Sequence, residues 1–395
     1  MAVIVQKYGG SSVAGVEKIR AVARKIAERR AEGNDLVVVV SAMGDTTDEL
    51  LALANGVTEN PSRRELDMLL TAGERISMAL LSMALNALDV PAISFTGSQS
   101  GILTTDAHTN ARIVEVRPYR IQEELDGGRV VIVAGYQGVS PRHEVTTLGR
   151  GGSDTTAVAL AAALGADVCE IYSDVDGVFT ADPRVAPQAR RLAEVSYEEM
   201  QTLAENGARV LNAQAVEFAR RAEITILARA TAGGAGTRVQ STPPERRVAG
   251  VTGRSDLVLL RLSRPERLSE LLEWLDARGA PARDVVTSAE AGLAVLTLAL
   301  ENTHGFAETE AELERRFGGD VTCRHGLGAV CVVGCGIGAD STHLRALLQS
   351  LDALDVPVEG IHQDALRLLA LVPAARVDEC VLRLHDDLLP PEEAA

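Results

Sequence analysis

Residues 3–40 read VIVQKYGGSSVAGVEKIRAVARKIAERRAEGNDLVVVV, a strand, a helix and a second strand in that order. Val3–Val5 and Leu36–Val40 are apolar runs typical of buried strands, and the apolar residues of Ile19–Ala27 recur at helical spacing. Three further runs of the buried-strand type follow, at Val130–Val133, Val168–Tyr172 and Ile224–Leu227. Strands that alternate with helices form mostly parallel sheets covered on both faces. This part of the sequence therefore predicts an α/β fold with three layers, αβα.

The second part of the chain follows a different pattern. Between Ala232 and Pro244 the composition shifts to Gly, Thr, Ser and Pro, which predicts a linker or domain boundary. Beyond it, shorter elements run β-α-β-β-α twice, as in ferredoxin-like domains. The predicted strands are Val258–Leu262, Val285–Thr287, Leu293–Leu300, Ala329–Val333, Val358–His362 and Leu366–Val372. We predict domains at residues 1–240, 248–325 and 326–390, with the first strand after the boundary belonging to either of the last two.

The amino-acid composition is that of a soluble globular protein and argues against some classes of partner. The chain has 395 residues, 46% hydrophobic and 24% charged, as in soluble globular proteins. A formal net charge of −16 predicts no nucleic acid and no anionic membrane as partners. No signal peptide is evident, and no apolar run approaches the roughly 18 residues of a membrane span. Five cysteines without a CxxC pair indicate reduced thiols. We therefore expect a cytoplasmic protein.

A first glycine-rich loop, Lys7–Ser12, lies between the first strand and the first helix. The paired glycines let the backbone approach a phosphate group, and a helix N-terminus favours bound anions. Lys7 would add a positive charge for a phosphoryl group that is transferred. The alternative for a single Gly-Gly pair is an ordinary strand–helix turn beside a surface lysine.

A second glycine-rich loop, Thr146–Thr156, precedes an alanine-rich helix. It contains Arg150, whose guanidinium can bind a carboxylate or phosphate in bidentate fashion. Ser153 or Asp154 alone would be explained as the N-cap of the helix. Two such loops in one α/β domain are less expected by chance than one, and together they predict a site for two anionic substrates.

Two more segments carry candidate residues. Ser173–Arg184 follows a strand and contains three acidic residues, which suit a nucleotide or Mg²⁺ site but also an acidic turn. Thr71 and Glu74 have the spacing of a capping box at the start of an apolar helix, and the residues alone favour that structural role.

Taken in order, these segments resemble those of aspartate kinases in the amino acid kinase family. They read KYGGSS (7–12), SAMGDTTDELL (41–51), LLTAGERIS (69–77), SFTGSQSGILTT (94–105), TTLGRGGSDTTAVALA (146–161) and CEIYSDVDGVFTADPR (169–184). The resemblance implies a kinase that converts ATP and L-aspartate into ADP and 4-phospho-L-aspartate, the first step of lysine, threonine and methionine biosynthesis. It also implies two C-terminal ACT domains, which have the ferredoxin-like pattern.

The family further implies roles for individual residues. Lys7, Glu74 and Asp154 would be catalytic, with Asp154 orienting Lys7. The residues implied in aspartate binding are Ser41, Thr47, Glu74 (at the α-amino group), Arg150 (at the α-carboxylate), Gly151, Gly152 and Ser153. Those implied in ATP binding are Lys7, Tyr8, Gly9, Gly10, Ser11, Ser173, Asp174, Phe179, Thr180, Ala181, Asp182, Pro183, Arg184 and Arg209. Mg²⁺ would arrive with ATP, without a metal-ligand set of the protein's own.

The chain departs from the family in two places. Arg209 stands where aspartate kinases usually have lysine. The two effector loops of the ACT domains, here Pro281–Ser288 and Ile361–Leu366, differ from the usual sequences. An amino-acid effector, lysine or threonine, is expected at these domains, but the altered loops predict weak inhibition. ACT domains also predict a homodimer or a larger homo-oligomer.

Two alternative functions remain at this stage. One is another amino-acid kinase that forms an acyl phosphate. The other is a ligand-sensing regulatory protein with an inactive kinase domain, against which the presence of Lys7, Arg150, Asp154 and Asp182 argues.

Overall fold

The computed structural model describes residues 2–149, 151–241, 248–300 and 306–389. Contacts between residues divide the chain into two compact units. The first comprises Met1–Val178, Arg191–Ala204 and Arg209–Pro244, and the second comprises Phe179–Arg190, Glu205–Ala208 and Glu245–Ala395. Two short segments from the first 240 residues thus belong to the second unit by contact. The domain boundaries predicted from sequence remain predictions.

The first unit is built from alternating strands and helices. Its strands are β1 (Val3–Tyr8), β2 (Asp35–Val40), β3 (Ala92–Phe95), β4 (Ile102–Thr104), β5 (Ile113–Val116), β6 (Val130–Ala134), β7 (Gln137–Val139), β8 (Val145–Thr147), β9 (Val168–Ser173), β10 (Glu194–Ser196), β11 (Thr225–Ala230) and β12 (Thr237–Gln240). Its helices are α1 (Val16–Ala31), α2 (Thr46–Val57), α3 (Arg63–Leu70), α4 (Ala72–Asn86), α5 (Tyr119–Asp126), α6 (Gly152–Leu164), α7 (Tyr197–Glu205) and α8 (Ala213–Ala222).

Eight strands form the main sheet in the order β10-β12-β11-β9-β1-β2-β6-β3. All neighbours pair in parallel except β11 and β12, which are antiparallel. Leu36–Val40 of β2 are fully buried, as a strand in the middle of a covered sheet requires. The predicted α/β class is confirmed. The predicted linker is partly wrong, because Thr237–Gln240 of that segment forms β12 inside the sheet.

A smaller sheet carries the strand that leads into the second glycine-rich loop. Its order is β5-β4-β7-β8, and β8 ends at Thr147. These strands are only three or four residues long, which is too short to give a clear pattern in the sequence.

Arg63–Asn86 has the length and hydropathy of a membrane span. In the structure, this stretch forms α3 and α4, which meet at Thr71. Met78, Leu81 and Leu85 of α4 pack into the core between the sheet and α1. Packing in a protein core therefore accounts for its apolar character.

The second unit is one antiparallel sheet with helices. Its strands are β13 (Gly250–Leu262), β14 (Arg283–Ser288), β15 (Leu293–Ala299), β16 (Val321–Val333), β17 (Gly360–Gln363) and β18 (Arg367–Pro373), and its helices are α9 (Leu268–Asp276), α10 (Phe306–Phe317), α11 (Thr342–Ala353) and α12 (Val377–Leu388). The order of strands is β14-β15-β13-β16-β18-β17.

The residues of this sheet and its helices form two separate hydrophobic cores. One contains Val258, Leu260 and Leu262 from the end of β13, together with residues of α9 and α10. The other contains Val251 from the start of β13, together with residues of α11 and α12. The two long central strands, β13 and β16, therefore each serve both cores.

Candidate active site

Lys7 and Asp154 form an ion pair at the centre of the first unit. Lys7 Nζ lies 2.7 Å from Asp154 Oδ1, and the two side chains are 12% and 10% exposed. Asp154 is in the first turn of α6, where the helix dipole stabilises a carboxylate. The backbone N–H of Asn212 donates to its Oδ2 at 3.3 Å. Asp154 thus holds the ammonium group in one place while leaving part of it exposed to a ligand.

The first glycine-rich loop folds tightly against the loop that follows β2. A Cβ atom on Gly10 would lie 2.9 Å from the carbonyl oxygen of Ala42 and 3.2 Å from that of Gly44. Gly9 is different, since its Cβ would lie 3.5 Å from Lys7 Nζ, at an ordinary contact distance. Glycine is therefore required at position 10 by the packing of the two loops, and position 9 leaves room beside the lysine.

Glu74 reaches this same loop from α4. Its Oε1 accepts a hydrogen bond from the backbone N–H of Ala42 at 3.1 Å. Its Oε2 is buried and has no hydrogen-bond partner among the described residues. Burial raises the pKa of Glu74 to about 7, although the N–H of Ala42 acts in the opposite direction. A buried carboxylate with one unpaired oxygen suits a cationic ligand.

The predicted capping box at Thr71 and Glu74 is wrong. Thr71 has helical dihedrals, and its side chain makes no capping hydrogen bond but donates to the carbonyl of Met68. Because the chain continues almost directly from α3 into α4, the start of α4 needs no side-chain cap. Glu74 is therefore available to the loop after β2.

The other residues of this loop have smaller roles in the geometry. The N–H of Ser41 donates to the carbonyl of Tyr8 at 3.1 Å, and Ser77 Oγ donates to the carbonyl of Ser41 at 2.7 Å. Thr47 lies half-buried in the first turn of α2. The loop after β2 thus joins Tyr8, beside Lys7, to Glu74 in α4.

The second glycine-rich loop ends at the N-terminus of α6. Arg150 lies outside the described residues. Gly151 has a φ of 72°, and a Cβ there would lie 2.2 Å from Nδ2 of Asn212, so glycine is required. The N-cap is Gly151 and no side chain caps the helix, so neither Ser153 nor Asp154 has the capping role. Gly152, Ser153 and Asp154 are buried in its first turn.

Asp67 of α3 was not identified from the sequence. It is fully buried, and its carboxylate lies 2.6 Å from Thr147 Oγ1 and 2.6 Å from His108 Nδ1. Thr147 ends β8, just before the second glycine-rich loop, so Asp67 anchors that loop to α3. Asp67, Thr71 and Glu74 are spaced as i, i+4 and i+7. Two acidic residues on one helical face are therefore the feature of the sequence that could have pointed to Asp67.

The residues predicted for the nucleotide fall in both units. Ser173 ends β9, and Asp174 after it is exposed. Asp176 is structural, because its carboxylate accepts from the N–H groups of Ala230 and Gly236. Arg209 is exposed in the first unit.

Phe179–Arg190, in contrast, belongs to the second unit. Ala181 is part of a core of that unit, and Thr180 Oγ1 lies 2.9 Å from His385 Nε2. Asp182 pairs with Arg184 at 2.6 Å, and Pro183 between them is exposed.

A cavity of about 220 Å³ lies on the opposite face of the main sheet from Lys7. Gln6 and Tyr8 point into it because side chains alternate along β1, and α1 covers it. It is therefore separate from the Lys7–Asp154 pair. Within the described ranges, no group of three or more His, Cys, Asp or Glu side chains is arranged to hold a metal ion.

Comparisons with known proteins cover nearly the whole chain. Residues 2–228 match the amino acid kinase family. The chain is 44% identical over 403 residues to the aspartokinase of Corynebacterium efficiens, covering 98% of this chain and 96% of that protein. It is 39% identical over 401 residues to the aspartokinase of Thermus thermophilus, covering 98% of each.

Solved structures give the same result for the fold. E. coli aspartokinase III in complex with aspartate and ADP has a TM-score of 0.87, with 24% identity, covering 98% of this chain and 99% of that chain. The aspartate kinase of Synechocystis has a TM-score of 0.57, with 35% identity, covering 99% of this chain and 71% of that chain.

Proposed function

Since the chain belongs to the amino acid kinase family and, within it, to the aspartokinases, which are ATP-dependent kinases, we propose that Lys7, Asp154 and Glu74 hold ATP and L-aspartate for phosphoryl transfer. The γ-phosphoryl group passes to the side-chain carboxylate of aspartate, giving ADP and 4-phospho-L-aspartate. The proposal rests mainly on the buried, unpaired Oε2 of Glu74, which would accept a hydrogen bond from the α-ammonium of aspartate.

The charge of Glu74 supports this role. Burial raises its pKa to about 7, so a large part of the free protein carries a neutral Glu74 near neutral pH. A bound ammonium group favours the ionised carboxylate and lowers that pKa again. Binding of aspartate and ionisation of Glu74 are therefore coupled.

Lys7 would neutralise charge on the phosphoryl group as it moves between two anions. The carboxylate of aspartate is already ionised at neutral pH, so the reaction needs no general base. It needs alignment of the reactants and positive charge at the phosphoryl group. Asp154 fixes the ammonium of Lys7 at 2.7 Å, and Gly9 leaves space beside it for a phosphate oxygen.

Mg²⁺ fits this site as an ion carried by ATP. Mg²⁺ is usually held by phosphate oxygens, water and one or two carboxylates, so it requires no protein cage. Lys7 and the backbone of Gly9–Ser11 would hold the phosphates, and the metal would supply further neutralisation of their charge.

Further residues are assigned on family resemblance. For aspartate, these are Ser41, Thr47, Arg150, Gly151, Gly152 and Ser153, with Arg150 at the α-carboxylate. For the nucleotide, they are Tyr8, Gly10, Ser11, Ser173, Asp174, Phe179–Arg184 and Arg209. We also propose a cytoplasmic location, assembly into at least a dimer through the second unit, and weak binding of lysine or threonine there.

A coupled ADP-release assay with aspartate, glutamate or no acceptor, each with hydroxylamine, tests the reaction. Hydroxylamine converts an acyl phosphate into a hydroxamate, which is detected directly. We expect ADP and hydroxamate to form together, and only with aspartate. Equal rates with glutamate would indicate another amino-acid kinase, and no acceptor-dependent release would indicate a regulatory protein with an inactive kinase domain.

A further inference from the structure

The segment Glu205–Ala208 belongs to the second unit by contact, although residues of the first unit precede and follow it along the chain. Glu205 is the last residue of α7. Its carbonyl oxygen accepts from Arg283 Nη1 at 2.7 Å and from Arg254 Nη1 at 3.1 Å. Carbonyl groups at a helix C-terminus lack partners within the helix and attract cations. Two arginines of the second unit thus hold the carbonyl of Glu205, a residue of the same unit.

Asn206 is held by a third arginine. Its side chain is buried, and Oδ1 accepts from Arg367 Nη1 at 3.1 Å. The same guanidinium pairs with Asp284 at 2.7 Å and with Asp364 at 3.0 Å. We call Arg254, Arg283 and Arg367 the arginine clamp.

The backbone after Asn206 lies directly on the sheet. Gly207 has a φ of 122°, and a Cβ there would lie 2.1 Å from the carbonyl oxygen of Gly253 in β13. Only glycine permits this approach. The segment is therefore fixed both by charged hydrogen bonds and by backbone contact.

The charges of the arginine clamp are balanced within the second unit. Asp256 pairs with Arg254 through two contacts of 2.8 Å. Asp284 and Asp364 pair with Arg367. Burial, and next the neighbouring Arg254, lowers the pKa of Arg283. Because burial and the neighbouring Arg254 both oppose the charge of Arg283, its hydrogen bond to the carbonyl of Glu205 is a specific contact rather than a solvated surface pair.

We propose that the arginine clamp positions Arg209 for ATP binding, an inference that rests on the nucleotide-binding role proposed above for Arg209. Arg209 follows the clamped segment directly along the chain. Arg254, Arg283 and Arg367 are therefore positioning residues for the nucleotide. Asp284 lies in β14, within the segment Pro281–Ser288 that the family resemblance assigns to effector binding, and Arg367 begins β18, directly after the second such segment, Ile361–Leu366.

Steady-state kinetics of Arg283→Met test the proposal, because methionine keeps much of the volume and removes the hydrogen bond to Glu205. We expect the KM for MgATP, and the Kd of a non-hydrolysable ATP analogue, to rise about fivefold or more, as for a lost charged hydrogen bond. The KM for aspartate should stay within about twofold. Arg367→Met, which releases Asn206 instead, should act in the same direction and serves if Arg283→Met does not fold.

Arg324→Met is the matched control. Arg324 lies in the same sheet and pairs with Glu359 at 2.6 Å, away from Glu205–Ala208, so the same Arg→Met change removes a charged contact of this sheet and should leave both KM values unchanged. The double variant Arg209→Ala/Arg283→Met should raise the KM for MgATP no more than Arg209→Ala alone, because the arginine clamp acts through Arg209.

An unchanged KM for MgATP in both clamp variants, or effects that multiply in the double variant, would overturn the proposal. A fall in melting temperature without a change in KM would mean that the clamp is only structural. Failure of the proposed function would appear elsewhere, as wild-type ADP release that does not depend on aspartate.

Discussion

Glu74 in the first unit and Arg283 in the second are both ionisable side chains largely withdrawn from water, but they differ in how many of their polar atoms have hydrogen-bond partners. Arg283 donates to the carbonyl of Glu205 at the end of α7. Glu74 uses one oxygen to accept from Ala42, and its other oxygen has no hydrogen-bond partner among the described residues. Buried polar groups are nearly always paired in folded proteins. An unpaired one in a site therefore points to a ligand, and a paired one to a structural or positioning role.

This difference in hydrogen bonding between Glu74 and Arg283 also affects the stability of the folded protein. A buried carboxylate whose pKa is raised is destabilising when it is ionised. The folded protein carries this energetic cost at Glu74, where bound aspartate would supply the missing hydrogen-bond partner of Oε2. Function and stability thus oppose each other at Glu74, whereas at the arginine clamp they act together.

The largest expected effect is that of Lys7→Ala. Removing the ammonium group should reduce kcat about 10²-fold or more, equivalent to roughly 3 kcal/mol of transition-state stabilisation. Circular dichroism should show a folded protein. Arg20→Ala is the control, because Arg20 is exposed on α1 and forms a surface ion pair with Glu17. Activity of Lys7→Ala within about threefold of wild type would remove Lys7 from the mechanism.

Glu74→Gln should separate function from stability. The amide cannot pair with an ammonium group as a carboxylate does, so the KM for aspartate should rise about tenfold or more, with a smaller change in the KM for MgATP.

Although Glu74→Gln should weaken the binding of aspartate, the same substitution should stabilise the folded protein. The pKa of Glu74 is about 7 when folded and 4.5 as a free side chain, so its favourable contribution is complete below the lower value and is lost as pH rises through the upper one. At about pH 8 the ionised group costs roughly 3 kcal/mol, which Gln avoids. Thermal unfolding should show a higher Tm for Glu74→Gln at that pH, with a much smaller gain near pH 5. A variant that is kinetically unchanged would make Glu74 structural.

The smallest expected effect is inhibition by amino acids. Pro281–Ser288 and Ile361–Leu366 are the segments that the family resemblance assigns to effector binding, and Asp284 in the first is already paired with Arg367. An effector needs partners for its ammonium and its carboxylate, and the carboxylates of Asp284 and Asp364 in these segments are both already paired with Arg367. Lysine and threonine, alone or together, should inhibit by less than half at about 1–5 mM. Stronger inhibition in a steady-state assay would show that the loops still bind effectors.

The sequence predicted five of the eight strands of the main sheet, β1, β2, β6, β9 and β11, because each contains a local apolar run, as in Leu36–Val40. The short strands β3 and β10 were not predicted. The sequence also did not predict β12, whose residues Thr237–Gln240 lie among glycines and become a strand only by pairing with β10 and β11. Asp67 was missed for a similar reason. Its partners His108 and Thr147 are 41 and 80 residues away along the chain.

For the candidate site, the family resemblance supplied more than the residue patterns did. The pattern Thr71–Glu74 suggested a cap, but helical dihedrals at Thr71 remove the need for one. Spacing also could not show that Phe179–Arg190 packs into the second unit, because that depends on contacts with residues such as His385, 205 positions after Thr180. Lys7 and Asp154, 147 positions apart, were paired only through the family, and the structure places their charged atoms 2.7 Å apart.

The most direct test of the central claim is proton release on binding of aspartate, measured by titration calorimetry near pH 6.5 in two buffers with different ionisation enthalpies and with a non-hydrolysable ATP analogue and Mg²⁺ present. If the ammonium of aspartate pairs with Glu74, the carboxylate must lose its proton, and with a pKa of about 7 wild type should release roughly three quarters of a proton per aspartate bound. Glu74→Gln should bind aspartate more weakly and release almost none. Equal release by both proteins, with equal affinity, would contradict the assignment of Glu74 to the substrate.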